Sequence, residues 1–168
     1  NGGLVRNNVH IDVNGSNCNT HLNGGYLLKN KQHVDNHTIV DHKVSHCESH
    51  ELYKGVMDDH STAVFNGKVF VRQDAQKINA FQSNGNVLLS DNATINSKPE
   101  LEIYADDVKC SHGSTTGQLD DEALFYLKAR GLSERSARQL LVSAFIGEVF
   151  DKIENEKVKS YALGLLSE

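Results

Sequence analysis

Short apolar runs separated by polar turn residues fill the first two thirds of the chain. Apolar and polar residues alternate in residues 9–13, and less cleanly in residues 68–72. A period of two is typical of strands that bury one face. No helical pattern of useful length occurs before Gln118. This region is therefore predicted to be all β, with many short strands.

Asn-Gly pairs stand among these runs, at residues 14–15, 23–24, 66–67 and 84–85. Both residue types tolerate the positive φ that tight turns require, so the pairs are predicted to be turns between strands. Asn-Gly is also the usual hairpin signal. The pattern alone leaves two architectures open, a sandwich of antiparallel strands and a parallel β-helix whose coils stack through similar corners.

The pattern becomes helical after Gly117. Asp120 is placed to cap a helix over residues 121–130, which carries acidic residues in its first turn and basic residues in its last. Both placements suit the helix dipole. Gly131 then supplies a C-terminal stop.

Ser133 is placed to cap a second helix. Its apolar residues recur at three- and four-residue steps and predict one buried face: Ala137, Leu140, Leu141, Ala144, Phe145, Val149 and Ile153. A third, weaker helix is predicted over about residues 156–166, with Val158, Ala162, Leu165 and Leu166 on its apolar side. We therefore expect a β core over residues 1–117 and a C-terminal helical subdomain over residues 118–168.

Composition narrows the functional classes. Of the 168 residues, 38% are hydrophobic and 23% charged, which is ordinary for a globular protein and argues against disorder. The net charge of -5 argues against a nucleic-acid partner. The longest nearly apolar stretch, residues 140–150, is too short to span a bilayer. Three cysteines without a CxxC pair favour a reducing, cytoplasmic location. The sequence opens on Asn-Gly-Gly without a methionine, which suggests a fragment of a longer protein.

A run of histidines suggests metal chemistry: His33, His37, His42, His46, His50 and His60. On a helix, three of them would share a face at four-residue spacing and could bind a metal. The surrounding residues do not favour a helix, however, and on strands the side chains would spread over several faces. A stand-alone histidine-rich metal-binding protein is therefore a minor alternative.

Two acidic pairs suggest a different alternative, a carbohydrate-active β-helix enzyme with paired carboxylates. The pairs are Asp58-Asp59 and Asp106-Asp107. Adjacent residues on a strand point to opposite faces, so solvated turns are the better interpretation. The sequence contains neither a phosphate-binding P-loop nor a Gly-x-Ser-x-Gly motif. We therefore expect no enzymatic activity.

Cys110 and His112 form the most informative pair. Both are soft-to-borderline metal ligands, and two residues apart on a strand they would share a face. Two ligands are too few for a closed site, so a partner would have to complete it. By chemistry alone, a packed cysteine and a hydrogen-bonded histidine are favoured over a metal site.

The residues around this pair resemble a known family. Residues 98–113, Lys-Pro-Glu-Leu-Glu-Ile-Tyr-Ala-Asp-Asp-Val-Lys-Cys-Ser-His-Gly, look like the signature of the SufB/SufD family of iron–sulfur cluster assembly proteins, and residues 114–121 and 124–131 continue it. Upstream matches lie at residues 54–55, 64–69, 74–77 and 86–90. The Lys-Cys-Ser-His-Gly form resembles the SufD branch, because SufB carries an acidic, cysteine-free version.

The resemblance implies a right-handed parallel β-helix followed by a small C-terminal α-helical subdomain. It implies a non-enzymatic, cytoplasmic scaffold subunit of the SufBCD complex, of which this chain is the C-terminal portion. The β-helix would pair with SufB and the helices would dock the SufC ATPase; a homodimer is possible for the chain alone. The family's N-terminal helical region and earlier β-helix coils are absent from this sequence.

The resemblance also assigns roles to the candidate pair. Cys110 and His112 become candidate cluster or iron ligands at the SufB interface. A nascent iron–sulfur cluster or iron would then be bound only in complex with SufB, and none tightly by the isolated chain. No nucleic-acid or membrane partner is expected.

Overall fold

The computed structural model of this chain describes residues 2–164. Eight consecutive strands come first: β1 (Leu4–Val13), β2 (Asn19–Leu28), β3 (His33–His42), β4 (Glu48–Met57), β5 (Thr62–Val71), β6 (Ile78–Leu88), β7 (Thr94–Ile103) and β8 (Val108–Gly117). Three helices follow: α1 (Asp121–Ala129), α2 (Glu134–Phe150) and α3 (Glu156–Gly164). Strands thus give way to helices just after Gly117. Among residues 2–164, no helix is both long and apolar enough to cross a membrane.

The strands form two four-stranded parallel sheets. The odd-numbered strands pair in the order β1-β3-β5-β7 and the even-numbered strands in the order β2-β4-β6-β8. Each coil of the chain adds one strand to each sheet, so Leu4 pairs with His33, His33 with Thr62 and Thr62 with Thr94. This arrangement confirms the parallel β-helix, and the antiparallel sandwich is wrong.

Most of the Asn-Gly pairs are not turns, so that prediction is wrong for three of the four. Residues 14–15 lie between β1 and β2, whereas residues 23–24, 66–67 and 84–85 lie inside strands. The corners instead use single non-glycine residues with positive φ: Asn17, His46 and Lys77 at one corner, and Asn30 and Asp59 at the other. The repetition of this conformation from coil to coil keeps the strands in register.

Glycines inside the strands make room for side chains of the neighbouring coil. A Cβ on Gly24 would lie 2.3 Å from the ring of Tyr53, and one on Gly55 would lie 2.3 Å from the ring of Tyr26. Any larger residue would therefore collide with a tyrosine ring in the narrow interior. These glycines are required by the packing between coils rather than by chain reversal.

The interior of the β-helix is apolar at its two corners and polar between them. One apolar cluster contains Val40, Val69 and Ile78, and the other contains Val34 and Met57. Buried polar side chains lie on the strands between the clusters: Asn36, Thr38, His42, Ser49, Glu51, Gln82, Asn84 and Asn86. Buried polar groups need hydrogen-bond partners, so this central row carries constraints that the apolar corners do not.

Side-chain caps start the first two helices. Asp120 Oδ1 accepts hydrogen bonds from the backbone N–H groups of Glu122 and Ala123, and Ser133 Oγ accepts one from Ser136. Gly131 has a φ of 93°, which suits glycine at the end of α1. The predicted caps and stop are confirmed.

Helix α2 packs on the outer face of the β2–β4–β6 sheet, where small residues leave a shallow floor. A Cβ on Gly25 would contact Ile146 at 3.5 Å, and one on Gly85 would contact Phe145 at 3.4 Å. Lys54, between these glycines in the register, donates to the Phe145 carbonyl at 3.0 Å and pairs with Glu148.

The prediction of one buried face on α2 is wrong in part. The buried residues of α2 are Ala137, Ile146 and Val149, whereas Leu140 is 48% exposed beside α1. Ile146 was absent from the predicted stripe. The predicted apolar residues Leu165 and Leu166 lie outside the described residues.

Candidate functional site

Strand β8 carries the candidate pair at the open end of the β-helix. Cys110 pairs in register with Ala80, and His112 pairs with Gln82. Because Ala80 and Gln82 are both buried in the interior, the two β8 residues continue interior rows rather than outer ones. Within residues 2–164 no further strand pairs beyond β8. The interior rows therefore end at Cys110 and His112.

Cys110 lies at the border between core and solvent. Its side chain is half-buried and packs against the apolar cluster that contains Val69 and Ala80. Burial raises the pKa of the Cys110 thiol above its ordinary value, and a hydrogen bond involving the backbone of Ala80 opposes this in part. Only the deprotonated thiolate binds a metal, so metal binding at Cys110 is favoured as pH rises.

His112 has more freedom than Cys110. It is exposed, and the next residue, Gly113, has open space around it. The residue behind it in the interior, Gln82, is 3% exposed. An exposed imidazole on a fixed strand can turn toward a ligand or toward the interior.

The donor chemistry of the pair fits iron or an iron–sulfur cluster as cargo. A thiolate sulfur and an imidazole nitrogen are both ligands for such species. In the part of the chain that the structure describes, no third metal ligand joins them to form a compact group. The pair can contribute to a shared site but cannot enclose one.

One compact group of potential ligands lies elsewhere among the described residues, on the outer face of the β1–β3 sheet. It comprises His10, Asp12 and Asp41. Arg72 binds Asp41 through two hydrogen bonds of 3.0 and 2.8 Å, and Lys43 lies 3.1 Å from Asp12. Arg72 also lowers the pKa of Asp41. Since these cations already neutralise the carboxylates, the group is an ion-pair network.

The histidine run does not converge on one site. His42 is fully buried, with its Nε2 2.9 Å from Ser49 Oγ, whereas His37 pairs with Asp35 at 2.8 Å on the outer face. His50 stacks between the rings of His21 and Phe81 on the other sheet. The remaining three lie at corners or at a strand start: His33, His46 and His60. This spread weakens the histidine-rich metal-protein alternative.

The acidic pairs also lie apart. Asp58 and Asp59 form part of the corner between β4 and β5, where Asp59 has positive φ. Asp106 and Asp107 form an exposed bend between β7 and β8. Neither pair presents two carboxylates to a common cleft, which weakens the glycosidase alternative.

Sequence reasoning missed two features of the molecule. The first is the buried, hydrogen-bonded pair of Glu51 and Gln82 behind His112. The signal in the sequence that could have indicated this pair is the recurrence of polar residues on successive coils. The second is an apolar groove of about 970 Å³ between α1 and α2, with Phe125 74% exposed on one wall. A groove between two helices cannot be deduced from the pattern of either helix alone.

The fold and its open end define a class, a parallel β-helix that ends in a thiol and an imidazole beside a small helical tail. The family model for the SUF system FeS cluster assembly SufBD core domain matches residues 1–145. The chain belongs to this SufBD family, which confirms the predicted family.

Individual relatives agree with this assignment. The chain is 36% identical to the iron-sulfur cluster assembly protein SufD of Escherichia coli over 167 residues, which cover 99% of the chain and 40% of that protein. It is 43% identical to a SufBD family protein of Synechocystis over 150 residues, covering 89% of the chain and 33% of the relative. It is 40% identical to Protein ABCI7, chloroplastic, of Arabidopsis thaliana over 164 residues, covering 96% and 34%. The chain thus spans two fifths or less of these relatives.

Proposed function

We propose that this chain is part of a non-enzymatic scaffold subunit of a SufBCD-type complex, which assembles iron–sulfur clusters. The observation that carries the proposal is the position of Cys110 and His112. Two cluster-type ligands end the interior rows of the β-helix where a second subunit can reach them. A nascent cluster or iron is the cargo of this site, held jointly with the partner and not tightly by this chain alone.

The last strands support pairing with SufB. Within the described residues, β7 and β8 each have a paired neighbour on one side only. The other edge leaves backbone N–H and C=O groups that a second β-helix can use. Ile103 and Tyr104, at the end of β7, are exposed and add apolar area. In the absence of SufB the same edges can pair two copies of this chain.

The α1–α2 groove supports docking of the SufC ATPase. Phe125, Tyr126 and Leu140 are large, exposed and lie together in it, and exposed aromatic residues commonly anchor protein partners. The sequence contains no P-loop, so nucleotide chemistry would have to come from such a partner. Glu134 and Arg138, exposed polar residues of α2, already pair with each other at 3.3 Å and are therefore weaker candidates for this contact. The groove is the better candidate surface.

The test compares His112→Ala and Cys110→Ser in the complex that carries the intact protein. Iron and sulfide are supplied anaerobically, and cluster yield is measured beside the melting temperature. His112→Ala should reduce cluster yield strongly and leave the melting temperature nearly unchanged, because an exposed side chain contributes little packing. Cys110→Ser should also reduce yield, with some loss of stability because the thiol is half-buried.

Ser111→Ala is the matched control, since Ser111 lies between the two ligands in sequence and in the outer register of β8. It should leave both quantities unchanged. If both ligand variants give a normal cluster yield, Cys110 and His112 have only a structural role. ATP hydrolysis or glycoside hydrolysis that stays with the purified chain would contradict the non-enzymatic assignment.

A further inference from the structure

A buried hydrogen-bonded pair lies directly behind His112 in the interior of the β-helix. Glu51 on β4 and Gln82 on β6 are register partners, and Gln82 Nε2 donates to Glu51 Oε2 at 2.7 Å. Their exposed fractions are 4% and 3%. The next residue in the same row is His112, on the adjacent strand about 4.8 Å away.

The orientation of the Gln82 amide is fixed on two sides. Since Gln82 Nε2 donates to Glu51, the nitrogen of the amide points to Glu51 and the oxygen points elsewhere. On the opposite sheet, a Cβ on Gly67 would lie 2.5 Å from Gln82 Nε2, so the amide occupies space that only glycine leaves free. Gln82 Oε1 is buried and accepts no hydrogen bond.

The neighbouring row of interior side chains, which contains Asn84, shows which hydrogen bond the Gln82 row lacks. Asn84, two residues along β6, has an oxygen that accepts from Asn86 at 2.7 Å and from Ser97 at 2.8 Å. Ser114, the β8 register partner of Asn84, reaches the same oxygen at 3.4 Å. The Asn84 row is thus closed by β8, whereas the Gln82 row still holds buried acceptors without donors, Gln82 Oε1 on β6 and Glu51 Oε1 one strand further back. A buried acceptor without a donor is costly, and His112 is the β8 side chain in register with it.

We propose that Gln82 is a positioning residue for His112, accepting a hydrogen bond on Oε1 from one ring N–H. This bond selects one neutral tautomer and leaves the other ring nitrogen free to bind iron or the cluster, as outer-shell carbonyl oxygens do for metal-binding histidines. Glu51 acts one step further back by holding the Gln82 amide in this orientation. The inference rests on the proposed function only for what His112 binds.

The test measures the His112 tautomer by nitrogen-15 NMR in the intact protein, with labelled histidine and His112→Asn to assign its signals. The wild-type protein should show one dominant N–H tautomer at His112. Gln82→Met, which keeps the volume and removes the acceptor, should give the tautomer mixture of a free imidazole. It should also weaken cobalt(II) binding to the complex by about tenfold or more.

The double variant Glu51→Gln with Gln82→Glu exchanges donor and acceptor but keeps an oxygen beside His112. It should retain the single tautomer. A wild-type tautomer mixture equal to that of Gln82→Met would overturn the inference. If that variant fails to fold, free histidine serves as the reference, and a wild-type mixture equal to that of free histidine overturns the inference in the same way. If His112→Ala abolishes cluster assembly while Gln82→Met changes neither tautomer nor cobalt affinity, the inference fails and the proposed function stands. If His112→Ala leaves cluster assembly unchanged while the wild-type protein shows a single His112 tautomer, the inference stands and the proposed function fails.

Discussion

The β-helix and the helical tail are held by different kinds of contact. Each inner strand of the β-helix pairs in register along its whole length with a strand on either side, and its inward side chains are fully enclosed, as at Phe65 and Met57. The tail rests on the outer face of one sheet through a few side chains of α2, chiefly Ile146 and Phe145 with Lys54 beneath them. Among the described helical residues, four hydrophobic side chains are buried: Leu124, Ala137, Ile146 and Val149.

This difference separates stability from recognition. A change inside the β-helix strains several coils at once, because the interior is close-packed and adjacent coils share each contact. A change in the tail affects one patch of surface or one docking contact, so it can alter partner binding while the β-helix remains folded. Substitutions in the two regions should therefore differ in how much they change stability and how much they change partner binding.

The largest effect is expected from Gly55→Val. A Cβ at this position would lie 2.3 Å from the partly buried ring of Tyr26, so valine forces the tyrosine out of the interior. Overpacking of this kind costs about 3 kcal/mol in the free energy of unfolding. Gly113→Val on β8 is the matched control, since nothing lies within 4 Å of its added Cβ. Urea denaturation should separate the two, and equal losses would contradict the account of the inner glycines.

These glycines show why the sequence predicted some features and not others. The change from strands to helices and the helix caps are local patterns, so they could be predicted from neighbouring residues. The fit of Gly24 against Tyr53 joins residues on adjacent coils, far apart in sequence. Local turn chemistry therefore gave the wrong role for Asn23-Gly24. Likewise, the choice between sandwich and β-helix depends on pairing between distant strands and required the family resemblance.

The candidate site also combines features that the sequence could predict with features that it could not. Cys110 and His112 could be placed on one face from their spacing, and the family resemblance supplied their proposed role. The Glu51–Gln82 pair behind them could not be found, because three coils must be aligned before Glu51, Gln82 and His112 form one row. Alignment of successive coils depends on corner lengths, which vary along this chain and are not visible in any single strand pattern.

A smaller loss is expected from Lys54→Met, which tests the docking of the tail. The substitution keeps the apolar stem but removes the hydrogen bond to the Phe145 carbonyl, the pairing with Glu148 and the cation–π contact with the Phe145 ring. We expect a loss of about 1–2 kcal/mol, seen as faster amide exchange in α2 with little change in β4 and β6.

Glu148→Gln is the control for this prediction. It removes only the exposed partner of the ion pair, which should change the exchange free energy by less than about 0.5 kcal/mol. If Lys54→Met accelerates exchange equally in the β-helix and in α2, the two regions are one cooperative unit and the comparison fails.

A gain on the order of 1 kcal/mol at neutral pH is expected from Glu51→Gln. Burial raises the pKa of Glu51 above its ordinary value of 4.5, so folding favours the neutral acid. The stabilising contribution of that acid is fully present below pH 4.5 and is lost as pH rises through the pKa of the folded state. Glutamine is neutral throughout, so the variant's advantage should grow with pH. Glu48→Gln, on the exposed outer face of β4, should show no such trend in melting temperature measured from pH 4 to 8.

The smallest effect on stability, combined with a large effect on recognition, is expected from Phe125→Ser. Phe125 is 74% exposed on α1, so its loss should change the free energy of unfolding by less than about 0.5 kcal/mol. As an aromatic anchor of the α1–α2 groove, it should weaken binding of the ATPase subunit by about 2 kcal/mol, roughly thirtyfold. Tyr161→Ser is the matched control, because Tyr161 is similarly exposed at 71% but lies on α3, outside the groove. Calorimetric titration of both variants with the ATPase subunit decides the matter: equal affinities would move the docking surface away from the groove.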